Sequence, residues 1–494
     1  MRNEGPASIG WLWGGLLLLT LVRLAVAAAM PLSPDEAYYW VWSRALAPGY
    51  LDHPPMVAVW AWCGTALLGD TALGVRLLAP LSAALGSVLL ADAGRRLFGP
   101  GAGLRAAVLL NATLMLGAGA VTMTPDTPLL FFWTAAAWAL ARLAAPGAVQ
   151  GGRWWLVAGA AAGLAFDSKY TAALLAPCAG LLLLLPAMRP WWRRPAPWLA
   201  AGVAVAMTAP VLWWNATHGW ASLLKQGGRV GDWTPTLRFL AELLGGQVGL
   251  ATPGVFALFC LGVGFAARRC RATGWSPGWA LPVLLVAPGL LVFLQHAVGD
   301  RVQANWVAVL YPGCALAAAA HGRWWRPAAA LGFALTALVY LQAGWAPLPL
   351  PRALDPTLRL AGWDALGTAL AQTARQQDAA FVAAEDYGAA ALLAWSGPEL
   401  PVVAAEARWR LFDLPSLATG QPGLLLLSTR RREPPDPAFW QSAALVGELR
   451  RGRGGVEAEA YRLYRVVQRP GPGGIRLPEP RRLSIRTSDA DQPR

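Results

Sequence analysis

Long apolar runs, separated by short charged segments, fill the first 345 residues of the chain. A helix that crosses a bilayer needs about 17–25 consecutive apolar residues. Runs near this length predict about eleven membrane helices, at 9–30, 72–94, 104–122, 127–145, 154–168, 170–187, 197–214, 239–267, 277–297, 303–320 and 326–345. The fifth and sixth runs are short because Asp167, Ser168 and Lys169 interrupt them. The first run could instead be a cleaved signal peptide, although its length and Arg23 favour a retained helix.

Basic and acidic residues fall on opposite sides of these predicted helices. With the N-terminus in the cytoplasm, the inner loops carry most of the arginines, as the positive-inside rule requires. These arginines are Arg95, Arg96, Arg105, Arg142, Arg153, Arg189, Arg193, Arg194, Arg268, Arg269, Arg271, Arg323 and Arg326. The acids at the outer ends are Asp35, Glu36, Asp52, Asp70, Asp126, Asp167, Asp232 and Asp300. The rule makes no demand on acids, so their clustering predicts a reaction centre on the outer face.

Three regions of different character follow from the pattern. Residues 1–345 form the predicted membrane domain, and its first periplasmic loop, about 31–70, holds two short amphipathic helices rich in Trp and Tyr. Strand and helix patterns over 346–468 predict a small soluble α/β domain outside the membrane. Its predicted helices are GWDALGTALAQTARQQ and YGAAALLAWSG, and its strands include AAFVAAED, ELPVVAAEA and PGLLLLSTR. Residues 469–494 are rich in Pro, Gly and Arg and are predicted to be disordered.

Composition narrows the class of protein further. The chain has 494 residues, of which 56% are hydrophobic and 14% charged, against about 25% charged in ordinary soluble domains. These values exclude a disordered chain, a collagen-like chain and a typical soluble enzyme. The formal net charge of +14 is explained by arginines at the inner membrane face, without a nucleic-acid partner. The five cysteines include no CxxC motif and predict neither a disulfide framework nor a zinc cluster.

Acidic residues of the outer face are the first candidates for chemistry. Asp35 and Glu36 are adjacent, so on a helix their side chains point about 100° apart and cannot both reach one atom. One of them could be a general base that takes a proton from an acceptor, or both could simply cap a helix. Asp126 is open to the same two interpretations, a helix cap or a second carboxylate that holds the acceptor or a metal ion.

Basic residues on the same face are candidates for binding an anion. Lys169 interrupts an apolar region, where it could hold a phosphate as a point charge or pair with Asp167. Arg301 and His53 are further outer-side candidates for binding this phosphate, and His218 is a candidate contact of the acceptor or another substrate on the same face. Positive charge is added to this face by Lys225 and Arg229.

A carboxylate beside cations at a membrane surface suits sugar transfer from a lipid-linked phosphate. Glycoside hydrolysis usually needs two carboxylates because the leaving oxygen must be protonated. A phosphate leaving group needs positive charge instead, so a single base that acts from the opposite face would invert the anomeric carbon. Aromatic residues of the first loop, Tyr38 and Tyr39 among them, are expected to contact the sugar or acceptor.

Several segments, in order along the chain, resemble a known family. SPDEAYYWVWSRALAPGYLDHPPM, TPDTPLLFFW, GLAFDSKYTAALLAP, WNATHGWASLLKQGGRVG and DRVQANWVAVLYP are similar to segments of bacterial GT-C glycosyltransferases of the dolichyl-phosphate-mannose–protein mannosyltransferase type, which include lipid A aminoarabinose transferases. The matches cover most of residues 30–320, and FVAAEDYGAAALLAWSG resembles the family's periplasmic domain.

The resemblance implies roles for particular residues. It implies that Asp35 is the catalytic acid position of the first periplasmic loop, that Asp126 is the second acidic position and that Lys169 approaches the donor phosphate. His53 stands where aminoarabinose transferases carry Lys, which leaves its phosphate contact open. Those transferases can hold a divalent metal near the acids, here Asp35 and Asp126, whereas protein mannosyltransferases are regarded as metal-independent.

The sequence therefore predicts a multi-pass inner-membrane glycosyltransferase with a cytoplasmic N-terminus and a periplasmic C-terminal domain. It would move a sugar from an undecaprenyl-phosphate donor to lipid A, another glycolipid, a polysaccharide or a protein. Asp35 would be the base, supported by Glu36 and Asp126, with Lys169 and Arg301 at the phosphate. Two rival classes stay open, a transporter or lipid flippase, which would need polar residues near the bilayer midplane, and a membrane scaffold without catalysis.

Overall fold

The computed structural model describes residues 6–147, 151–227, 235–396, 400–417, 420–431, 433–469 and 474–480. The chain divides into two compact units. We call the first the helical unit, which comprises Met1–Val26, Leu46–Val59 and Leu78–Pro347. The second, the sheet unit, comprises Ala27–Ala45, Trp60–Leu77 and Leu348–Arg494. Part of the predicted first loop therefore belongs to the same unit as the C-terminal region.

Helices make up most of the described chain. They are α1 Pro6–Ala29, α2 Pro34–Arg44, α3 Met56–Leu68, α4 Ala72–Arg76, α5 Leu78–Phe98, α6 Pro100–Asn111, α7 Leu114–Gly119, α8 Asp126–Ala144, α9 Arg153–Phe166, α10 Leu175–Leu184, α11 Pro195–Thr217, α12 Ala221–Gly227, α13 Arg238–Ala251, α14 Pro253–Ala272, α15 Pro277–Ala297, α16 Tyr311–His321, α17 Trp325–Trp345, α18 Trp363–Gln376 and α19 Tyr387–Ser396. Short 3-10 helices cover Tyr170–Leu174, Pro186–Arg193, Ala304–Leu310, Pro356–Leu360 and Ala407–Leu411.

Membrane-spanning character is confirmed by the length and apolarity of these helices. Within the described residues, six helices are long and apolar enough to cross a bilayer, or up to eight if two bent pairs each count as one span. The six are Ala72–Phe98, Asp126–Ala144, Pro195–Thr217, Pro253–Ala272, Pro277–Ala297 and Trp325–Trp345. The fold is thus that of a polytopic helical membrane protein, and the total of about eleven spans stays a prediction.

Two of the runs that the sequence predicts as single helices are each divided into two helices in the structure. The run 239–267 is divided into α13 and α14 at Thr252, whose φ of 66° is left-handed, and Pro253 then begins the next helix because its ring cannot continue the previous one. The run 104–122 breaks after α6, where the Thr113 side chain accepts a hydrogen bond from Leu116 N and starts α7. Apolar content alone does not reveal such breaks.

Small residues hold the helical unit together. A Cβ atom on Gly159 of α9 would overlap the carbonyl oxygen of Ala200 in α11, and one on Gly332 of α17 would overlap that of Ala112. Close helix contacts through Gly and Ala are typical of membrane bundles. A buried polar contact adds to them, since Arg23 Nη1 donates to Asn111 Oδ1 at 2.7 Å.

The sheet unit has the predicted α/β character. Its described strands form one sheet in the order β4-β5-β3-β1-β2-β6. The strands are β1 Phe381–Ala384, β2 Val402–Ala404, β3 Pro422–Ser428, β4 Trp440–Arg453, β5 Val456–Gln468 and β6 Ile475–Arg476. The central β1 pairs in parallel with β2 and β3, and the outer strands pair antiparallel.

Two features of this sheet differ from the sequence prediction. β4 was not predicted, because most of its residues are exposed and the apolar alternation of a half-buried strand is absent. β6 lies in the segment predicted to be disordered, yet it pairs with β2 through Val403 and Arg476. Residues 481–494 of that segment lie outside the described residues.

Candidate active site

Glu36 fixes the start of α2 in the sheet unit. Its carboxylate accepts from Arg76 Nε at 2.6 Å and Arg76 Nη2 at 2.8 Å, and both side chains are almost fully buried. Ser33 and Glu36 also exchange the two hydrogen bonds of a capping box. Arg76 donates further to the backbone carbonyl groups of Ala27, Met30 and Pro31. Glu36 therefore anchors the start of the helix, in agreement with the helix-cap interpretation, and Arg76 occupies its carboxylate.

Asp35, the neighbour of Glu36, has a different environment. It is half-buried, and its Oδ1 accepts a hydrogen bond from the Tyr387 hydroxyl at 2.9 Å. Within the sheet unit, the described residues place no cation in an ion pair with Asp35. Among the described residues, its carboxylate is therefore held by a neutral donor.

Tyr387 reaches Asp35 because α19 packs closely against α2. A Cβ atom on Gly388 would lie 2.7 Å from Pro34 Cβ, so a residue without a side chain is required at this approach. Burial, and then the charge of Asp35, raise the pKa of the Tyr387 hydroxyl, which stays protonated and able to donate. The Arg408 guanidinium lies 4.2 Å from the centre of the Tyr387 ring.

Tyr38 and Tyr39 are buried in packing. Tyr38 is only 2% exposed, and its ring centre lies 4.7 Å from that of Tyr387 and 5.3 Å from that of Trp409. Tyr39 packs edge-on against Trp42 at 5.1 Å. The predicted sugar contact by these two rings is not borne out by this environment, because α2 buries an aromatic face that the sequence placed on a membrane surface.

A cavity of about 1010 Å³ lies within the sheet unit, and Asp35 and Tyr387 are part of its lining. Charged side chains of both signs and the rings of Trp363 and Tyr461 complete the lining. The volume is at the upper end of the 300–1,000 Å³ or so that ligand pockets occupy. Asp35 therefore has space beside it for a substrate of saccharide size.

A second cluster of predicted residues lies in the helical unit. Lys169 Nζ donates to Asp126 Oδ1 at 2.7 Å, and Asn305 Nδ2 donates to Asp126 Oδ2 at 2.8 Å. Asp126 is the first residue of α8, and Lys169 lies in the break between α9 and the following 3-10 helix. The structure thus brings together two residues that are 43 positions apart in the sequence.

Lys169 does not pair with Asp167, the alternative that the sequence left open. Asp167 is 9% exposed, and its Oδ1 has no hydrogen-bond partner among the described residues. Its backbone carbonyl accepts from Met56 N at 3.0 Å. This contact ties the end of α9 to the start of α3, next to the segment that contains His53.

The other predicted basic residues of the helical unit have different environments. Lys225 Nζ donates to Asp52 Oδ1 at 2.5 Å, one residue before His53. His218 stacks on Trp214 with ring centres 4.3 Å apart. Arg301 is 73% exposed along its side chain and lies 3.3 Å from Glu242, an acid that already pairs with Arg238. Arg229 lies outside the described residues.

The donor set around Asp126 does not fit a metal ion. Both of its carboxylate oxygens already accept hydrogen bonds, and one of the donors is an ammonium group that would repel a divalent cation. Across the described ranges, no group of three or more His, Cys, Asp or Glu side chains is arranged to hold a metal. We therefore assign no step to a metal.

Sequence reasoning missed two residues that organise the site, Arg76 and Tyr387. Arg76 ends a short helix and looks like one more membrane-flanking arginine. Tyr387 lies 352 positions after Asp35 in a segment whose pattern predicts only a helix. Asn305, the amide donor to Asp126, is the one partner with a sequence signal, since it stands near Arg301 at the start of the predicted span 303–320.

Known proteins resemble this chain in sequence and fold. Residues 52–214 match the family model described as dolichyl-phosphate-mannose-protein mannosyltransferase. A lipid A galacturonosyltransferase, RgtD of Rhizobium johnstonii, is 31% identical over 290 residues, which are 56% of this chain and 58% of the relative. The chain thus matches less than two thirds of that relative's length.

Solved structures agree on the fold. ArnT from Cupriavidus metallidurans has a TM-score of 0.62 at 16% identity, over 93% of this chain and 98% of that chain in the apo state. Its structure bound to undecaprenyl phosphate gives the same score over 92% and 98%. The chain has the fold of ArnT, and the family model and the lipid A galacturonosyltransferase confirm the predicted resemblance to this kind of glycosyltransferase.

Proposed function

We propose that the protein is a multi-pass inner-membrane glycosyltransferase that moves a hexosyl or pentosyl group from undecaprenyl phosphate to a periplasmic acceptor. The observation that carries the proposal is the 31% identity with a lipid A galacturonosyltransferase. The arginine pattern supports a cytoplasmic N-terminus and a periplasmic sheet unit. Because this relative is a lipid A transferase, we propose lipid A as the acceptor, ahead of another glycolipid, a polysaccharide or a protein.

Asp35 acts as the general base in this proposal. It removes the proton of an acceptor hydroxyl while that oxygen forms a bond to the anomeric carbon of the sugar. The bond between the anomeric carbon and the phosphate oxygen breaks, and its electron pair stays with the phosphate. The products are the glycosylated acceptor and undecaprenyl phosphate, and attack opposite to the leaving group inverts the anomeric carbon.

Lys169 stabilises the negative charge of the departing phosphate. Asp126 accepts a hydrogen bond from this ammonium group, and Asn305 donates to the other oxygen of Asp126. Asp126 is therefore a positioning residue for Lys169. Arg301 and His53 stay predicted donor contacts, although the exposure of Arg301 and its contact with Glu242 favour a weaker role.

Transfer by purified protein tests the proposal directly. The full-length protein in nanodiscs is incubated with lipid A and undecaprenyl phosphate that carries labelled galacturonic acid, aminoarabinose or mannose. We expect one donor to label lipid A with inversion, and we expect the matched Asp35→Asn variant to transfer about 10²–10⁴-fold more slowly. Absence of transfer from all three donors, or equal transfer by Asp35→Asn, would overturn the proposal.

A further inference from the structure

The lining of the cavity beside Asp35 includes six acids and six arginines, so opposite formal charges are equal in number. Three of the acids accept hydrogen bonds from side chains of the same unit. These contacts join Arg453 Nη2 to Asp355 at 3.1 Å, Trp440 Nε1 to Glu385 at 2.8 Å, and Arg451 Nη2 to Glu459 at 2.9 Å. Much of the negative charge of the lining is therefore already neutralised or hydrogen-bonded.

Two arginines of the lining stand apart from these networks. Arg352 and Arg359 are exposed, and the described residues give their guanidinium groups no ion pair or hydrogen bond. Arg430, also exposed, reaches Glu459 only at 3.7 Å. Free guanidinium groups present a planar set of donors that matches the oxygens of a phosphate or a carboxylate. The cavity therefore carries cationic groups that an anionic ligand would compensate.

The rest of the lining suits a saccharide. Trp363 and Tyr461 supply aromatic surface, on which sugar rings can pack. Asp35 is the one lining group to which the proposed function gives chemistry, and its task is to deprotonate a hydroxyl of the acceptor. A molecule in this cavity would bring its hydroxyl groups to that carboxylate.

We propose that this cavity is the acceptor site and that it selects an anionic saccharide headgroup, with Arg352 and Arg359 binding its phosphate or carboxylate. The inference rests on the proposed function, since it takes Asp35 as the base. It goes further by assigning the acceptor to this cavity and by naming two residues that determine specificity.

Binding without transfer tests this site. We would measure equilibrium binding of fluorescent lipid A with two phosphates to the full-length protein in nanodiscs of zwitterionic lipid, with no sugar donor present. The Arg352→Gln/Arg359→Gln double variant should bind about tenfold more weakly, since two exposed ion pairs are lost. The difference should shrink at 1 M salt, where the screening length is about 3 Å, and vanish for dephosphorylated lipid A.

A matched control separates this effect from a general loss of positive charge. Arg465→Gln/Arg469→Gln removes two exposed arginines of the same unit that are not part of the cavity lining, and it should bind lipid A like the wild type. The Arg352→Gln/Arg359→Gln variant should bind undecaprenyl phosphate like the wild type. That result would show that the variant is folded and that the two arginines bind an anionic group of the acceptor.

Three results would overturn the site. They are wild-type affinity of the Arg352→Gln/Arg359→Gln variant for lipid A, an equal loss in the control variant, and a loss confined to undecaprenyl phosphate. Because the assay contains no donor sugar, these results leave the proposed transferase activity standing. Normal binding without any transfer would instead contradict the proposed function and leave the binding site intact.

Discussion

Asp35 in the sheet unit and Asp126 in the helical unit are both acids in the first turn of a helix, yet their environments differ. Asp126 contacts the ammonium group of Lys169 at 2.7 Å and the amide of Asn305 at 2.8 Å. Asp35 contacts the neutral hydroxyl of Tyr387 and lines a cavity. The Asp126 carboxylate already has a cation and an amide as partners, whereas the Asp35 carboxylate faces a cavity that a substrate could enter. This difference is why we propose proton transfer by Asp35 and a role for Asp126 in holding Lys169.

Removing the cation of the helical unit should have a large effect on transfer, second only to the loss of Asp35. We expect the Asp126→Asn/Lys169→Met variant to lose about 10²–10³-fold in transfer rate, the range for one lost electrostatic contact to a transition state. The double change leaves no unpaired buried charge. The amide oxygen of the new asparagine at position 126 can still accept the hydrogen bond from Asn305. Turnover and affinity for undecaprenyl phosphate are measured together.

The single variant Lys169→Met is the control for that experiment. It leaves the carboxylate of Asp126 without its cation at a site where both side chains are mostly buried, which costs about 3–5 kcal/mol of unfolding free energy. A double variant with normal turnover would show that the pair is only structural.

Loss of the Tyr387 hydroxyl should have an intermediate effect. Tyr387→Phe removes the one described donor to Asp35, and we expect the turnover number to fall about tenfold, as for one charge-assisted hydrogen bond. Because the bond holds the Asp35 carboxylate in place, its loss should lower the turnover number and leave the KM for the donor nearly unchanged. Tyr464→Phe, in the same sheet, is the matched control and should leave both quantities unchanged. An unchanged turnover number in Tyr387→Phe would contradict the role.

Substitution of Glu36 should affect turnover least. Glu36→Gln leaves the buried guanidinium of Arg76 without its counter-charge, so the free energy of unfolding should fall by about 3–5 kcal/mol. Turnover per folded molecule should stay within roughly threefold, which is about 0.6 kcal/mol. Thermal unfolding measures the change in stability, and the transfer rate divided by the amount of folded protein measures the change in turnover. A large loss of turnover at unchanged stability would assign chemistry to Glu36.

Much of the fold follows from local pattern. Apolar runs locate most helices of the helical unit, and short continuous apolar runs locate β1, β2 and β3, which are buried along nearly their whole length. The break at Thr252 and the exposed strand β4 depend on backbone conformation and on pairing with β5. These interactions leave no periodic signal in the sequence.

The candidate site was predictable only in part. Asp35, Asp126 and Lys169 stand out because charged residues are rare beside apolar runs. Their partners do not stand out, since Tyr387 and Arg76 become significant only through contacts with Asp35 and Glu36 over long sequence distances. Which of two adjacent acids is available for chemistry is decided by those partners.

The most direct test compares the chemical step in Asp35→Asn and Asp126→Asn at saturating donor and acceptor, in a single-turnover assay. Both changes replace a carboxylate by an amide group of nearly the same shape. We expect Asp35→Asn to be at least about tenfold slower than Asp126→Asn, because a lost general base costs about 10²–10⁴-fold. Equal rates, or a slower Asp126→Asn, would contradict the assignment of proton transfer to Asp35.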